Sequence, residues 1–345
     1  MHWNCYQFFL STHKTMPITG SASYIPTCQS FLTHWNDVNA ALPPGSPLTL
    51  AGSLVGQTTP LTLATFTGLF NSLKTQRNTV TESLVEVEFA RGAVLTLKLQ
   101  AAARIGQFIG VVRGNLSGTK YERSLPPQPD IYSTQDDLQS AAIRVRKLWE
   151  KLNADAATGM TLPLLLEGGF PLADYGTEVV DQIPTVYFAL ETANSTVRLE
   201  REERNDLQDK IYPILKAYRQ VQPTKFPEGN ALTDSLPDLS PKPGSTPKPV
   251  TLTGVWDAAS TRAKLTWTAS TDSALATYEL RAVPGPNYTT DDEVTVASFS
   301  TTDPREYLTA QFFGTPGTVV SYKIYVQLTT GNEAGSDPVS VERPM

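Results

Sequence analysis

Histidine and cysteine are scarce, since the chain of 345 residues contains three histidines and two cysteines. All three histidines lie before residue 35, so we expect no Ser-His-Asp or Cys-His catalytic site in either main part of the chain. Two cysteines provide no disulfide framework and leave the redox compartment open. No close ligand spacing occurs, so we predict no zinc site from His2, Cys5, His13, Cys28 and His34.

Long apolar runs are also missing. The best stretch, 94–112, is interrupted by Lys98 and Arg104, and no run approaches the ~20 residues that cross a membrane. The N-terminus lacks the basic start and the apolar core of a secretory signal, and Met16 is an alternative to Met1 as the native start. We therefore predict no membrane span and no secretory signal.

Phosphate-binding motifs and basic stripes are absent as well. Neither GxxxxGK[ST] nor GxGxxG occurs, so we predict no nucleotide or other cofactor. The net charge is −6, and residues 250–345 carry most of it, with six lysines and arginines against eleven acidic residues. An acidic chain without a basic stripe argues against nucleic acid and anionic membranes as partners.

Carboxylates occur in neighbouring pairs, which are Asp136-Asp137, Glu202-Glu203 and Asp291-Asp292. The two carboxylates of a glycosidase face each other across a cleft about 5–10 Å wide, whereas sequence neighbours on a helix point in different directions. We interpret these pairs as solvated charge. The acidic segment 287–293 lacks the spacing of a calcium-binding EF-hand, so we interpret it as a surface loop. The sequence thus predicts a protein that is not an enzyme.

Strand patterns fill the chain after Pro249. Short segments alternate apolar and polar residues, are rich in β-branched and aromatic side chains, and are separated by Gly, Pro or Asp. Seven such segments are "VTLTGVW", "AKLTWTAS", "ATYELRAV", "DEVTVASFS", "REYLTAQF", "VVSYKIYVQLTT" and "DPVSVER". Short strands at this regular spacing favour an antiparallel sandwich.

Three of these segments resemble strands of fibronectin type III domains. Trp267 in "LTW" is similar to the buried tryptophan of that family, and "YELRAV" around Tyr278 resembles its third strand. "GTVVSYKIYVQL" resembles its sixth strand, with Tyr322 in the tyrosine-corner position. The resemblance covers about residues 249–343 and implies a sandwich but no single function, because such modules bind or space other domains in many settings. In bacteria they commonly belong to extracellular proteins, which favours an extracellular or cell-surface location. The missing secretory signal argues against it, so the sequence leaves the compartment open.

Three aromatic residues of the strand region are candidate interaction residues, namely Trp256, Tyr288 and Tyr307. Trp256 departs from the fibronectin pattern as an extra aromatic residue late on the first strand. Two interpretations stay open for it, which are packing at an edge or against the helical region, and a platform for a ligand. Exposed rings at the three positions would suit a glycan or another cell-surface ligand.

Helical periodicity dominates residues 25–221. Apolar residues recur there at spacings of three and four, which marks the buried face of long amphipathic helices. One such stripe comprises Leu95, Ala102, Ile105, Ile109 and Val112. Thr59-Pro60 predicts the start of one helix, and Ser133 with Asp136 predicts a capping box for another. Helices of this kind bury their stripes together, so we predict a four-helix bundle.

Two segments of the helical region, 34–53 and 148–170, are similar to each other. The aligned pairs include Trp35 with Trp149, Asn39 with Asn153, and Leu48 with Leu164. In both segments an extended "PLxL" stretch and a glycine turn precede a long helix. We interpret this order as an internal duplication, with chance similarity of short strings as the alternative. The paired "PLxL" stretches would then form a small two-stranded ribbon.

The sequence as a whole predicts a multidomain protein. An N-terminal extension (1–24) precedes an all-α bundle (25–221) with repeats at about 25–118 and 130–221, a semi-rigid proline-rich linker (222–249) and an all-β fibronectin type III-like sandwich (250–345). We expect a non-enzymatic structural or interaction protein whose helical body self-associates or docks to a protein partner. The alternative is a carbohydrate- or cell-envelope-binding accessory protein of a secreted system.

Overall fold

The computed structural model describes residues 17–244 and 246–344. Within these ranges a large helical region is followed by an antiparallel β region, which confirms the predicted order. None of the described helices has the length and hydrophobicity that crossing a membrane requires. The helices are α1 (Tyr24–Ala41), α2 (Leu63–Asn115), α3 (Gln135–Asn153), α4 (Leu172–Tyr175), α5 (Gln182–Val221) and α6 (Ala231–Asp234).

The chain forms two compact units, and each of the long helices α2 and α5 contributes to both. Unit 1 contains the described residues up to Glu82 together with Arg198–Phe313 and Val319–Arg343. Unit 2 consists mainly of Ser83–Val197, with the turn Gly314–Thr318. Most of the β region therefore belongs to the same unit as the beginning of α2 and the end of α5.

The helical core of unit 1 surrounds Trp35. Phe31, Trp35 and Val38 are spaced by three and four residues, so they share one face of α1, and all three are buried. The Trp35 ring packs between Phe66 of α2 and Tyr218 of α5, with ring centres 5.8 and 4.8 Å away. Other buried members of this core are Cys28, Leu48, Leu50, Leu61, Phe70, Leu73, Ile211, Ile214 and Leu215. Burial raises the pKa of the Cys28 thiol to about 12, which keeps it protonated and unreactive.

The core of unit 2 surrounds Trp149 in a similar way. The buried Trp149 ring of α3 packs between Phe108 of α2 and Tyr175 of α4, with ring centres 5.5 and 5.6 Å away. The α2 face that covers it comprises Leu97, Ala101, Ile105, Phe108, Ile109 and Val112. Leu95 and Ala102 of the predicted stripe lie at its border and are half-buried.

The same hydrogen bonds surround the tryptophan of each unit. Trp35 Nε1 donates to the carbonyl oxygen of Leu48 at 3.2 Å, and Asn39 Oδ1 accepts the Leu48 backbone N–H at 2.9 Å. In unit 2, Trp149 Nε1 donates to the carbonyl oxygen of Leu164 at 3.1 Å, and Asn153 Oδ1 accepts the Leu164 N–H at 2.9 Å. A buried indole N–H requires an acceptor, so these bonds hold each "PLxL" stretch against its helix.

Each "PLxL" stretch also pairs with residues that follow it in the chain. Leu50 exchanges two backbone hydrogen bonds with Leu61, and Leu166 exchanges two with Phe170. The predicted ribbon between the two stretches is therefore wrong, because the backbone groups of each stretch are already bonded locally.

Both predicted helix starts are displaced along the chain. Leu61 is held extended by Leu50, so α2 begins only at Leu63, where Thr62 Oγ1 accepts the Thr65 N–H at 3.3 Å. For α3 the N-cap is Thr134, whose hydroxyl accepts the Asp137 N–H at 3.2 Å. The predicted cap, Ser133, is instead bonded to the Asp130 backbone N–H.

Residues 222–239 differ from the extended spacer that the prolines predicted. Gln222–Thr224 forms a 3-10 turn, Ala231–Asp234 forms α6, and Leu232, Leu236 and Leu239 pack on the helical core of unit 1. His34 holds this segment in place, because its Nε2 lies 2.7 Å from the carbonyl oxygen of Leu232. A carbonyl only accepts, so Nε2 carries the proton and Nδ1 accepts from the Tyr218 hydroxyl at 2.7 Å.

The stability of the protein should fall in mild acid because of His34. Burial lowers the pKa of His34 below its ordinary value of about 6.5, so the unfolded chain takes up a proton first. The resulting stability is present above pH 6.5 and is lost as the pH falls through the lowered pKa. Urea unfolding between pH 7.5 and 5 should show this loss in the native chain and a smaller loss in His34→Gln. Equal losses would contradict the prediction.

The β region contains the seven predicted strands and one more. The strands are β1 (Leu252–Asp257), β2 (Arg262–Trp267), β3 (Leu275–Pro284), β4 (Val294–Phe299), β5 (Glu306–Thr309), β6 (Val319–Leu328), β7 (Glu333–Gly335) and β8 (Val339–Glu342). One sheet has the order β1-β2-β5; the other has β4-β3-β6, with β7 and β8 both pairing with β6. Sequence reasoning missed β7, which has three residues, too few to show an alternating pattern.

The two sheets share one apolar core. Tyr278, Leu280 and Ala282 alternate along β3, and they meet Leu265 and Trp267 of the other sheet. Tyr322 is buried in this core, but its hydroxyl has no hydrogen-bond partner among the described residues. The position therefore has the tyrosine that the fibronectin resemblance implied, without the hydrogen bond of a tyrosine corner.

Candidate functional site

The outer face of the five-stranded sheet carries an unusual set of buried charges. Glu279 and Arg281 alternate with the core residues of β3, so they point away from the sandwich core, where solvent is the usual neighbour. Both are nevertheless buried, and only 1% of Arg281 is exposed. Charged residues are almost never this buried unless they are paired.

Arg281 is the centre of this set and uses all five of its N–H donors. Its Nε and Nη2 donate to Glu279 Oε2 at 2.8 and 2.5 Å. Its Nη1 donates to Glu293 Oε1 at 2.7 Å, and two further bonds reach Glu333 at 2.7 and 3.2 Å. The Tyr325 ring lies 4.0 Å below the guanidinium. Burial opposes the charge, but the three carboxylates outweigh it and raise the pKa of Arg281.

Glu293 lies just before β4 and joins Arg281 to two tyrosines. Its Oε2 accepts hydrogen bonds from the hydroxyls of Tyr288 at 2.6 Å and Tyr325 at 2.7 Å. Burial and the neighbouring carboxylate raise the pKa of both phenols, which keeps them protonated as donors. Every oxygen of this buried carboxylate is therefore bonded.

Helix α5 extends the set through Asp292, which is 4% exposed. Arg201 donates to this carboxylate at 3.0 and 2.5 Å, and Arg204 donates at 2.9 Å. Thr289 donates a further bond at 2.7 Å. Burial alone would raise the pKa of Asp292, but the bonds from Arg201, Thr289 and Arg204 outweigh it and hold the pKa below its ordinary value.

Residues 19–21 and helix α2 cover the same outer face of the five-stranded sheet. Arg77 of α2 donates to the Glu293 carbonyl oxygen at 2.7 Å and to the Ser21 hydroxyl at 2.8 Å. Burial, with Arg204 nearby, lowers the pKa of Arg77 to about 10, so it is charged at neutral pH. The Thr19 hydroxyl donates to Glu333 at 2.7 Å. Together these charged residues form the buried charge cluster, which comprises Glu279, Arg281, Asp292, Glu293 and Glu333 with Arg77, Arg201 and Arg204.

The buried charge cluster attaches the β region to the helices of unit 1. It joins strands β3 and β7 and the segment before β4 to α2, to α5 and to residues 19–21, all within unit 1. The Arg281 donors and the Glu293 carboxylate oxygens are fully used within the β region, and Asp292, Glu333 and the Glu293 carbonyl oxygen make the contacts with the helices and residues 19–21. Within residues 17–244 and 246–344, no group of three or more His, Cys, Asp or Glu side chains is arranged to hold a metal ion.

The structure corrects the interpretation of the acidic segment 287–293. Asp136, Asp137, Glu202 and Glu203 are exposed as predicted, but Asp292 and Glu293 are buried against arginines. The surface-loop prediction is therefore wrong for Asp292 and Glu293, because residues far away in sequence supply the opposite charges. The sequence signal that could have revealed this burial was the pair Glu279 and Arg281 on a strand that is otherwise largely apolar.

The three candidate interaction aromatics are half-buried and make contacts within the chain. Trp256 packs edge-on against Phe313, with ring centres 5.1 Å apart. Tyr307 packs edge-on against Phe299 at 5.5 Å. Tyr288 belongs to the surroundings of Glu293. Trp256 and Tyr307 both pack against the sandwich core, and ligand binding by the three rings stays a prediction.

Comparisons with known proteins give two partial similarities. No protein-family model and no curated protein matches the chain. The structure of pectate lyase PelI from Erwinia chrysanthemi with tetragalacturonic acid is 18% identical over 27% of this chain and 28% of that chain, with a TM-score of 0.23. A Fn3-like protein from Clostridium thermocellum is 25% identical over 29% of this chain and 97% of that chain, with a TM-score of 0.22. Both similarities are confined to less than a third of this chain.

Proposed function

We propose that the protein is a non-enzymatic structural or interaction protein, in which a helical body presents a fibronectin type III-like module. The buried charge cluster is the observation that supports this proposal. A module on a flexible tether needs no buried contacts with its carrier, whereas here helices α2 and α5 supply arginines to Asp292 and Glu293. Fully bonded charges of this kind fix orientation, which is what a presenting scaffold requires.

The internal duplication is part of the same proposal. The aligned residues Trp35 and Trp149 make equivalent hydrogen bonds, and so do the aligned asparagines. Each indole also packs between one ring from the helical segment that follows it and one ring from the other long helix. Chance similarity of short strings gives no reason for equal contacts, so these contacts support two copies of one ancestral helical unit.

The proposal predicts that the full chain associates with itself or with a protein partner. Size-exclusion chromatography with light scattering should detect association at high protein concentration, and pull-down from the source organism tests for a partner. A strictly monomeric chain without any recovered partner would contradict this proposal. Recognition of a glycan on an array instead would favour the alternative of a carbohydrate-binding accessory protein.

A further inference from the structure

Helix α3 carries three exposed cations on the side that faces away from its core. Arg144, Lys147 and Lys151 are spaced by three and four residues, so they share one face, here called the α3 cationic face. The buried residues Val145, Trp149 and Leu152 lie on the opposite side of the helix. The three cations line a groove of about 510 Å³ together with Ser124, Ser140, Ile143 and Leu148.

The positive charges of the α3 cationic face are available to a binding partner. Arg144 donates its Nε–H to the Ser124 carbonyl oxygen at 2.7 Å, and none of the three cations has an ion-pair partner in the described part of the chain. The nearest opposite charges on α3 are engaged elsewhere. Glu150 pairs with Arg146 at 3.3 Å, and Asp137 accepts from the Thr134 hydroxyl.

Helix α5 carries the opposite pattern in unit 1. Glu202, Asp206 and Asp209 are exposed, spaced by four and three residues, and form one face, here called the α5 acidic face. The buried residues Arg204, Ile211 and Leu215 lie on the other side of the helix. None of the three carboxylates has an ion-pair partner among residues 17–244 and 246–344. Two exposed cations border this face, since Lys210 lies four residues after Asp206 and Arg198 lies four residues before Glu202.

The spacings of the two faces are complementary. Along a helix axis the three cations lie at about 0, 4.5 and 10.5 Å, because each residue advances the helix by about 1.5 Å. Read in the opposite direction, Asp209, Asp206 and Glu202 lie at about the same three heights. Two such helices that run antiparallel would place one carboxylate beside each cation.

We propose that the α3 cationic face binds the α5 acidic face of a second copy of this chain. The pairs are Arg144 with Asp209, Lys147 with Asp206, and Lys151 with Glu202. Each copy carries both faces, so the contact forms twice in a two-fold dimer and once per subunit in a head-to-tail chain. This inference rests on the proposed function and names the surface through which the helical body self-associates.

Apolar side chains flank both faces and supply the non-polar part of the contact. Ile143 and Leu148 border the α3 cationic face and are half-buried. Leu199 and Tyr212 border the α5 acidic face and are 55% and 42% exposed. Isolated exposed ion pairs stabilise little, so the apolar borders provide affinity and the charges set partner and direction.

Charge reversal tests the pairing. One variant combines Arg144→Glu, Lys147→Glu and Lys151→Glu, and a second combines Glu202→Lys, Asp206→Lys and Asp209→Lys. In sedimentation experiments at low salt, each variant alone should associate at least about tenfold more weakly than the native chain, because attraction becomes repulsion. An equimolar mixture of the two variants should regain association, since each face again meets its opposite. A matched control, Arg113→Glu with Glu178→Lys, changes exposed charges outside both faces and should leave association unchanged.

The outcomes separate this inference from the proposed function. Two results together support the pairing. Association of the native chain weakens above about 0.5 M salt, where screening is strong, and association recovers in the mixture of the two variants. A native chain that associates as strongly as both variants overturns the pairing but leaves self-association intact. A monomeric native chain overturns the pairing, and only the absence of any protein partner then overturns the proposed function. Circular dichroism melts identify a variant that fails to fold, and single reversals at Lys147 and Asp206 then replace the triple variants.

Discussion

Arg281→Met should lower the free energy of unfolding by about 3–5 kcal/mol, the cost of removing one partner from a buried ionic group. Arg281 gives five hydrogen bonds to Glu279, Glu293 and Glu333. Methionine fills a similar volume without charge, so the variant leaves three carboxylates in a buried environment without their common cation. Urea unfolding followed by circular dichroism measures the loss.

A matched control is available on the neighbouring sheet. Arg262 of β2 is exposed, so Arg262→Met should change the free energy of unfolding by no more than about 0.5 kcal/mol. Adding Glu279→Gln and Glu333→Gln to Arg281→Met should recover part of the loss, because fewer uncompensated charges stay buried. If Arg281→Met costs no more than the Arg262 control, the buried charge cluster does not stabilise the fold.

Trp149→Ala should lower the free energy of unfolding by about 3–5 kcal/mol, as expected for the truncation of a buried tryptophan. The substitution removes the ring that lies between Phe108 and Tyr175, and it leaves the Leu164 carbonyl oxygen without its donor. The measurement is again the free energy of unfolding in urea.

The equivalent contacts of Trp35 make this prediction comparative. Trp35→Ala removes equivalent ring contacts and an equivalent hydrogen bond, so its cost should agree with that of Trp149→Ala to within about 1 kcal/mol. Tyr132 is 85% exposed, and Tyr132→Ala serves as the control with an expected change below about 0.5 kcal/mol. A large cost at one tryptophan and almost none at the other would contradict the equivalence of the two sites.

The order of helices and strands could be predicted because periodicity is a local property. The apolar stripes of α2 and the alternation along β3 are visible within ten to twenty residues, and the fold keeps them. The self-comparison of the sequence also paired Trp35 with Trp149 and Asn39 with Asn153, whose hydrogen bonds prove equivalent. The residue types that the self-comparison aligned therefore make equivalent local contacts, although two more residues separate the tryptophan from its leucine in the second segment.

The buried charge cluster could not be predicted, for a physical reason. Outward-pointing charges on a strand have the same pattern whether water or another part of the chain covers them. The cover comes from residues such as Arg77, which is 216 positions from Glu293. The displaced start of α2 has a similar cause, since the Leu50–Leu61 pairing overrides the local signal of Thr59-Pro60.

The long sequence separation within the buried charge cluster has a consequence for protein synthesis. Ser21, Arg77 and Arg204 leave the ribosome before Asp292, Glu293 and Glu333 have been made. The arginines of α2 and α5 are therefore solvated while the rest of the chain is synthesised. The buried charge cluster is complete only after β7 has left the ribosome. Termination of translation between Arg281 and Glu333 would yield a chain whose Arg281 lacks at least one of its three carboxylates. The full set of hydrogen bonds of Arg281 therefore forms only after Glu333 has been synthesised.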